Sequence, residues 1–273
     1  NYLTAVGYRA LYTNTDENYH TAVGHQALYA NDQGVFNTAV GYQSLVDNTD
    51  GGYNCGIGMS TLPSNTTGAS NTALGYQAGS INTTGDFNTH IGRGAYYDAS
   101  GLDNTSSLGY GAGGVSDVSD RIEIGNTSVS WIGGEVAWST YSDARIKDDV
   151  QENVPGLAFI TRLRPVTYQL NIDAQNALCH PGREIGDWPS KYDIEQIRMS
   201  GFIAQEVEQA AVDADYDFSG VDRAADDAGM YSLKYSEFVV PLVKAVQEQQ
   251  AAIEALQALV ADLQAQVAEL RDR

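Results

Sequence analysis

Glycine returns at a fixed step of 17 residues through the first part of this chain, at Gly7, Gly24, Gly41, Gly58, Gly75, Gly92 and Gly109. Seven glycines in register make an internal repeat, and the length of a repeat restricts the folds open to it. Each glycine follows an aliphatic residue, from Val6 and Val23 through Ile57 and Leu74 to Leu108. Each also has a small residue three positions later, such as Ala10, Ser44, Thr61 or Ala112. Asn37, Asn54, Asn71 and Asn88 stand four positions before their glycines, giving an Asn-Thr-Ala-Val-Gly type of unit. The unit is too short for a pair of helices and has no heptad. Its Thr, Val and Ile, punctuated by Asn, Gly and Asp, predict short strands and tight turns. One repeat is then one coil of a β-solenoid. The aliphatic residue before each glycine is expected to point inward and stack on its equivalent one coil away, while the glycine permits a close backbone approach.

Charge narrows the function classes. With 35 acidic against 15 basic residues the chain carries −20, which repels nucleic acid and anionic lipid surfaces, so neither is expected as a partner. No apolar run of about 18 residues occurs, so no membrane insertion is expected. The chain opens at Asn1 without an initiating Met or a signal-peptide pattern and reads as a fragment or a mature product. Cys55 and Cys179 fall in different segments, and Cys179-His180 has no second Cys/His cluster, so neither a disulfide framework, a metal site nor a cofactor is expected. No acidic pair in the repeats suggests glycan hydrolysis.

The repeats, over roughly residues 1 to 113, resemble the head repeats of trimeric autotransporter adhesins, although their period is longer. That resemblance implies a left-handed β-roll packed as a homotrimer. Tyrosine follows the glycine in alternate coils, at Tyr8, Tyr42, Tyr76 and Tyr110, with His25, Met59 and Arg93 between. Such a row could contact a host cell-surface receptor or glycan, or fill gaps between protomers or coils. The segment from Arg121 through Trp131-Ile-Gly-Gly134 reads as a last strand pair closing the solenoid.

The first lysine of the chain is Lys147, in Tyr141-Ser142-Asp143-Ala144-Arg145-Ile146-Lys147, where glycines thin out and helical periodicity begins. A serine and a desolvated lysine suffice as nucleophile and base, but a serine five residues before a lysine also arises by chance as a polar turn. The blocks that follow give it weight: Leu163 to Tyr168, Gly201 to Val207, and Tyr235 leading into Val243 to Glu248. In content and order these resemble the intramolecular chaperone, auto-processing domain at the C-terminus of phage endosialidase tailspikes and many tail fibres. The resemblance implies a domain that trimerises, guides folding of the upstream stalk and frees itself by cleavage between Tyr141 and Ser142. Ser142 would be the nucleophile and Lys147 the general base. Asp148 and Asp149 beside the pair would oppose a neutral lysine. A helix over about 203–211 would bury Ala204, Val207 and Ala211 and leave Glu206 at the surface.

From Val239 the apolar residues step by three and four through Leu242, Val246, Ile253, Leu256, Val260, Leu263, Val267 and Leu270, with Gln249 as the polar seam position. This pattern predicts a coiled coil. The expected architecture is mixed: a β-solenoid (β-roll) over 1–135, an α+β chaperone and autocleavage domain over 136–238, and a trimeric coiled coil over 239–273. The expected role is a viral tail-fibre tip for host attachment, located on the virion. A cellular surface adhesin with the same chaperone is the alternative.

Overall fold

The computed structural model describes residues 2–15, 19–96, 100–113, 118–129, 132–135, 138–179, 191–223 and 230–271. Two compact units emerge, one built on Asn1–Ile132 together with Leu170–Ile197, the other on Gly133–Gln169, Arg198–Ala224 and Tyr231–Arg273.

The first unit carries the solenoid. Its strands are β1 (Leu3–Val6), β2 (His20–Val23), β3 (Thr38–Val40), β4 (Cys55–Ile57), β5 (Thr72–Leu74), β6 (Thr89–Ile91), β7 (Ser106–Leu108) and β8 (Ile122–Ile124). They form one parallel sheet in strict chain order. The register repeats the sequence period, as in Thr38↔Cys55 and Cys55↔Thr72, until the last step, where Leu108 pairs with Ile124. β8 is therefore an eighth single strand. No second strand follows among the described residues 132–135, and Trp131 lies outside them.

The repeat glycines from Gly7 to Gly92 fit their places for two reasons. Gly24, Gly41 and Gly92 have φ of 140°, 135° and 134°. A Cβ on Gly41 would also meet the Gly58 carbonyl oxygen at 2.2 Å. The corners are turned by left-handed residues that include Leu28, Leu45, Phe36 and Tyr53.

The inward residue corrects the expectation from sequence. Side chains alternate along a strand, and the buried member is the one two before the glycine: Ala22 and Ala39 are fully buried and Ala73 nearly so. The aliphatic residue next to the glycine faces outward, with Val6 at 57 %, Leu74 at 46 % and Leu108 at 48 % exposed. The coil is narrow, and once Leu28, Leu45 and Leu62 occupy its centre only a small side chain fits opposite them. His90 is the exception, and it lies beside Gly79, which stands where earlier coils have leucine.

Two asparagine columns hold the coils together. Asn37 Oδ1 accepts from the Asn54 N–H at 2.8 Å, and the pattern repeats from Asn54 to Asn71 and from Asn71 to Asn88. In the second column the side-chain amide of each residue donates to the one before it: Asn31 to Asn14, Asn48 to Asn31, Asn65 to Asn48, Asn82 to Asn65. A buried amide costs little only when its hydrogen-bonding groups are paired. The repetition meets that condition from Asn31 to Asn88.

In the second unit β9 (Val166–Tyr168) pairs antiparallel with β10 (Met199–Gly201), and β11 (Val221–Asp222) with β12 (Ser232–Leu233). The helices α1 (Leu157–Ile160), α3 (Ala204–Asp213) and the 33-residue α4 (Val239–Arg271) belong to this unit, while α2 (Ile172–Cys179) belongs to the first. Its core joins Phe159, Val207, Ala210, Ala211, Phe218 and Phe238. Val207 and Ala211 are inside as expected and Ala204 is half-buried. Among the described residues no helix is long and apolar enough to cross a membrane.

Candidate active site

Between Tyr141 and Lys147 the chain makes one 3₁₀ turn, Ala144–Ile146. Asp143 starts it. Its Oδ1 accepts from the Arg145 N–H at 2.9 Å, and its carboxylate also takes the Arg145 guanidinium through Nε at 3.0 Å and Nη2 at 2.7 Å. Those hydrogen bonds hold the Asp143 carboxyl below the usual carboxylate range. The turn closes with Ile146 N–H donating to the Asp143 carbonyl at 3.1 Å and Lys147 N–H to that of Ala144 at 3.3 Å. A tight turn of this kind brings its two flanks together. Lys147 Nζ donates to Ser142 Oγ at 2.7 Å.

The two sequence candidates for nucleophile and base are thus in hydrogen-bond contact, at a separation that proton transfer requires. Every residue from Tyr141 to Val150 is exposed in the single chain. A lysine becomes a base when removal from water favours its neutral amine, and among the described residues this chain alone offers no such cover. Apolar residues close in sequence are exposed too: Trp138 is 91 %, Tyr141 93 % and Val150 79 % exposed. Asp149 turns to Gln151, whose Nε2 donates to its Oδ2 at 2.9 Å.

The motif blocks that accompany the pair have structural work. Arg164 Nε donates to Glu206 Oε2 at 3.0 Å on the surface, and this hydrogen bonding lowers the Glu206 carboxyl. Tyr235 places its hydroxyl over Gly201 and accepts from the Phe202 N–H at 3.1 Å. Gly156 packs on α4 so closely that a Cβ would meet the Ala245 backbone nitrogen at 2.6 Å. Beside it Glu248 Oε2 accepts from the Leu157 N–H at 2.8 Å. Nothing in the spacing of Gly156 and Glu248 announces that contact, because 91 residues separate the two bonded partners.

The tyrosine row stands as a surface column. Tyr8, His25 and Tyr42 stack with centroids 5.2 Å apart, and the Arg93 guanidinium lies 5.6 Å from the ring centres of both Tyr76 and Tyr110. A parallel column, Tyr2–Tyr19–Phe36–Tyr53, stacks at 5.1, 4.8 and 5.1 Å. Sequence reading passed over that second column and the Asn14 to Asn82 column, although the same 17-residue step exposes both. Among the described residues no group of three or more His, Cys, Asp or Glu could hold a metal. His180 and the Cys179 side chain lie outside the described residues.

The fold is thus a β-solenoid followed by an α+β unit whose opening turn brings a serine and a lysine into hydrogen-bond contact. Residues 142–216 match a peptidase family described as chaperone of endosialidase, and the match begins on Ser142 itself. That family comprises autocleaving serine peptidases that act as trimer-folding intramolecular chaperones. No curated protein and no solved structure gives a significant match.

Proposed function

We propose that this chain forms the end of a homotrimeric extracellular fibre, a viral tail-fibre tip used for host attachment, whose C-terminal part directs folding of the trimer and then cuts itself free between Tyr141 and Ser142. The observation that carries the reading is the 2.7 Å contact of Lys147 Nζ with Ser142 Oγ at the first residue of the family match. Homotrimer formation is supported by α4, whose seam residues Val246, Ile253, Leu256 and Val260 are about half exposed on a lone helix. Two further copies would bury that seam.

In the proposed reaction the Ser142 hydroxyl adds to the Tyr141 carbonyl carbon while Lys147, as neutral amine, takes its proton. The Tyr141–Ser142 amide bond breaks as that proton passes to the Ser142 nitrogen, leaving the Tyr141 acyl group on Oγ. Water then hydrolyses the ester to a Tyr141 carboxylate and a free Ser142 hydroxyl. The exposure of the pair and of the apolar residues flanking it in sequence supports a cut timed by assembly: when copies associate, the segment is covered, Lys147 loses its water, and the base forms. Cleavage after folding removes the scaffold that aligned the chains and leaves a kinetically trapped fibre.

Intact-mass spectrometry of the full-length protein beside Ser142→Ala and Lys147→Ala tests this. The expected wild type is two fragments, one ending at Tyr141 and one beginning at Ser142, with both variants uncut and still trimeric. Cutting that survives Ser142→Ala removes the assignment.

A further inference from the structure

The outer face of the solenoid sheet has a composition that a free surface of this chain does not have. Four columns run along it: five before the glycine, aromatic in every coil but those of Ser70 and Asn104; three before, threonine except at Cys55 and Ser106; one before, aliphatic throughout; and one after, the tyrosine-rich column. The aromatic columns border the face, and the threonine and aliphatic columns fill it. From β1 to β7 these positions hold no carboxylate, and Arg93 is their one formal charge, although the chain has 35 acidic residues among 273. The face is also open to solvent in the single chain, with Tyr19 at 50 %, Tyr53 at 61 %, Ile57 at 40 % and Tyr42 at 44 % exposed. A contiguous face of rings and aliphatics with Arg93 as its single charge marks a surface that a partner covers. The rings in each stacked column already cover one another's faces, so the outward contact is through their edges.

We infer that this face is the contact between copies of the chain in the solenoid, and that the two aromatic columns meet across it. The inference rests on the trimeric reading above. A second copy is the occupant that fits: it brings the same columns at the same rung spacing and a single charge, Arg93, whose guanidinium already lies against the Tyr76 and Tyr110 rings. In a closed threefold ring the contacts are heterologous, so one edge of the face on each chain meets the opposite edge on the next. The Tyr2–Tyr19–Phe36–Tyr53 column of one copy then packs against the Tyr8–His25–Tyr42 column of its neighbour, with the aliphatic column turned to the axis. This removes Tyr8, Tyr42, Tyr76 and Tyr110 from the surface that a receptor could reach.

Cysteine pairing tests the geometry. Phe36 and Tyr42 flank β3 on one chain, roughly 15–20 Å apart along an extended path, beyond the reach of a disulfide within that chain. The full chain would carry Phe36→Cys and Tyr42→Cys with Cys55→Ser and Cys179→Ser, and with Ser142→Ala to keep it whole. After mild oxidation a covalent trimer is expected on a non-reducing denaturing gel, with each single variant running as a monomer. A second arm compares Ile57→Lys, on the face, with Asp47→Lys, exposed and off it. The thermal midpoint of the solenoid should fall by roughly 5–10 °C for the first and stay unchanged for the second. A fall for Ile57→Lys without cross-linking keeps the face and overturns the pairing of columns. A trimeric wild type with neither effect overturns the proposal and leaves the face to another occupant. A monomeric wild type by light scattering overturns it together with the trimeric reading.

Discussion

Leu28 and Phe159 are both fully buried, but the two cores around them are built differently. Leu28 sits among Ala22, Ala27, Ala39 and Leu45, neighbours that recur with the repeat, and its N–H bonds the Ser44 carbonyl one coil on. Phe159 packs against Tyr216, Phe218 and Phe238, rings brought from distant parts of the chain. The solenoid core is small side chains and paired amides repeated many times; the core of the second unit is one aromatic cluster. A defect in the first has copies on either side, whereas a defect in the second has no substitute.

The largest effect is expected where the solenoid has no slack. Gly41→Val places a side chain on the Gly58 carbonyl at a φ that only glycine adopts readily, a cost of at least about 3 kcal/mol. Limited proteolysis read by mass spectrometry should then find cuts within residues 1–132 that the wild type resists; an unchanged pattern would show that the coils yield more than their close contacts imply. Phe159→Ala should cost about 3–5 kcal/mol and broaden the denaturant transition of the second unit. A loss below about 1 kcal/mol would mean that its aromatic cluster is as redundant as the coils.

Acid should separate the regions next. Burial holds His20 below the ordinary histidine value and pushes His90 down to about 4. Both groups therefore bind protons more readily unfolded than folded, so their contribution is full above about pH 6.5 and is lost as pH falls toward 4. For His90 alone the loss approaches about 3 kcal/mol near pH 4. His20→Asn with His90→Ala restores the side chains other coils carry at those positions, and denaturant midpoints at pH 7.5 and 4.5 should diverge less in this variant than in the wild type. Equal divergence would sink the assignment. The smallest effect is expected from Glu206→Gln, since its ion pair with Arg164 is fully on the surface, and its midpoint should match the wild type within error.

Much of the solenoid was legible because its information is repeated. A constant step forces each strand to pair with the one a coil away, so Gly7 to Gly109 gave the register in advance. The direction of the side chains did not follow, because the alternation Thr-Ala-Val can be laid down in either phase. The usual rule, larger apolar residue inward, fails where the interior is narrow and already filled by Leu28, Leu45 and Leu62. In the second unit the apolar steps from Val239 to Leu270 gave α4, and the blocks around Leu163, Gly201 and Tyr235 were recognised in order. Their contacts were not, since Leu157 meeting Glu248, or Tyr235 meeting Phe202, depends on chain returning from far away. Ser142 and Lys147 were named from resemblance. The Asp143 cap that brings them together is visible only in three dimensions.

The paired asparagine columns also bear on how such a solenoid can change length. A single inserted or deleted residue would break both columns at once, whereas a whole coil copied into the chain would extend both without an unpaired amide. Near-identical repeats in a coding sequence are natural substrates for unequal crossing-over, which adds or removes whole units. Each event would move the tip by about 4.8 Å, the spacing of adjacent strands. Length would then vary between lineages in discrete steps, while the C-terminal unit stayed the same.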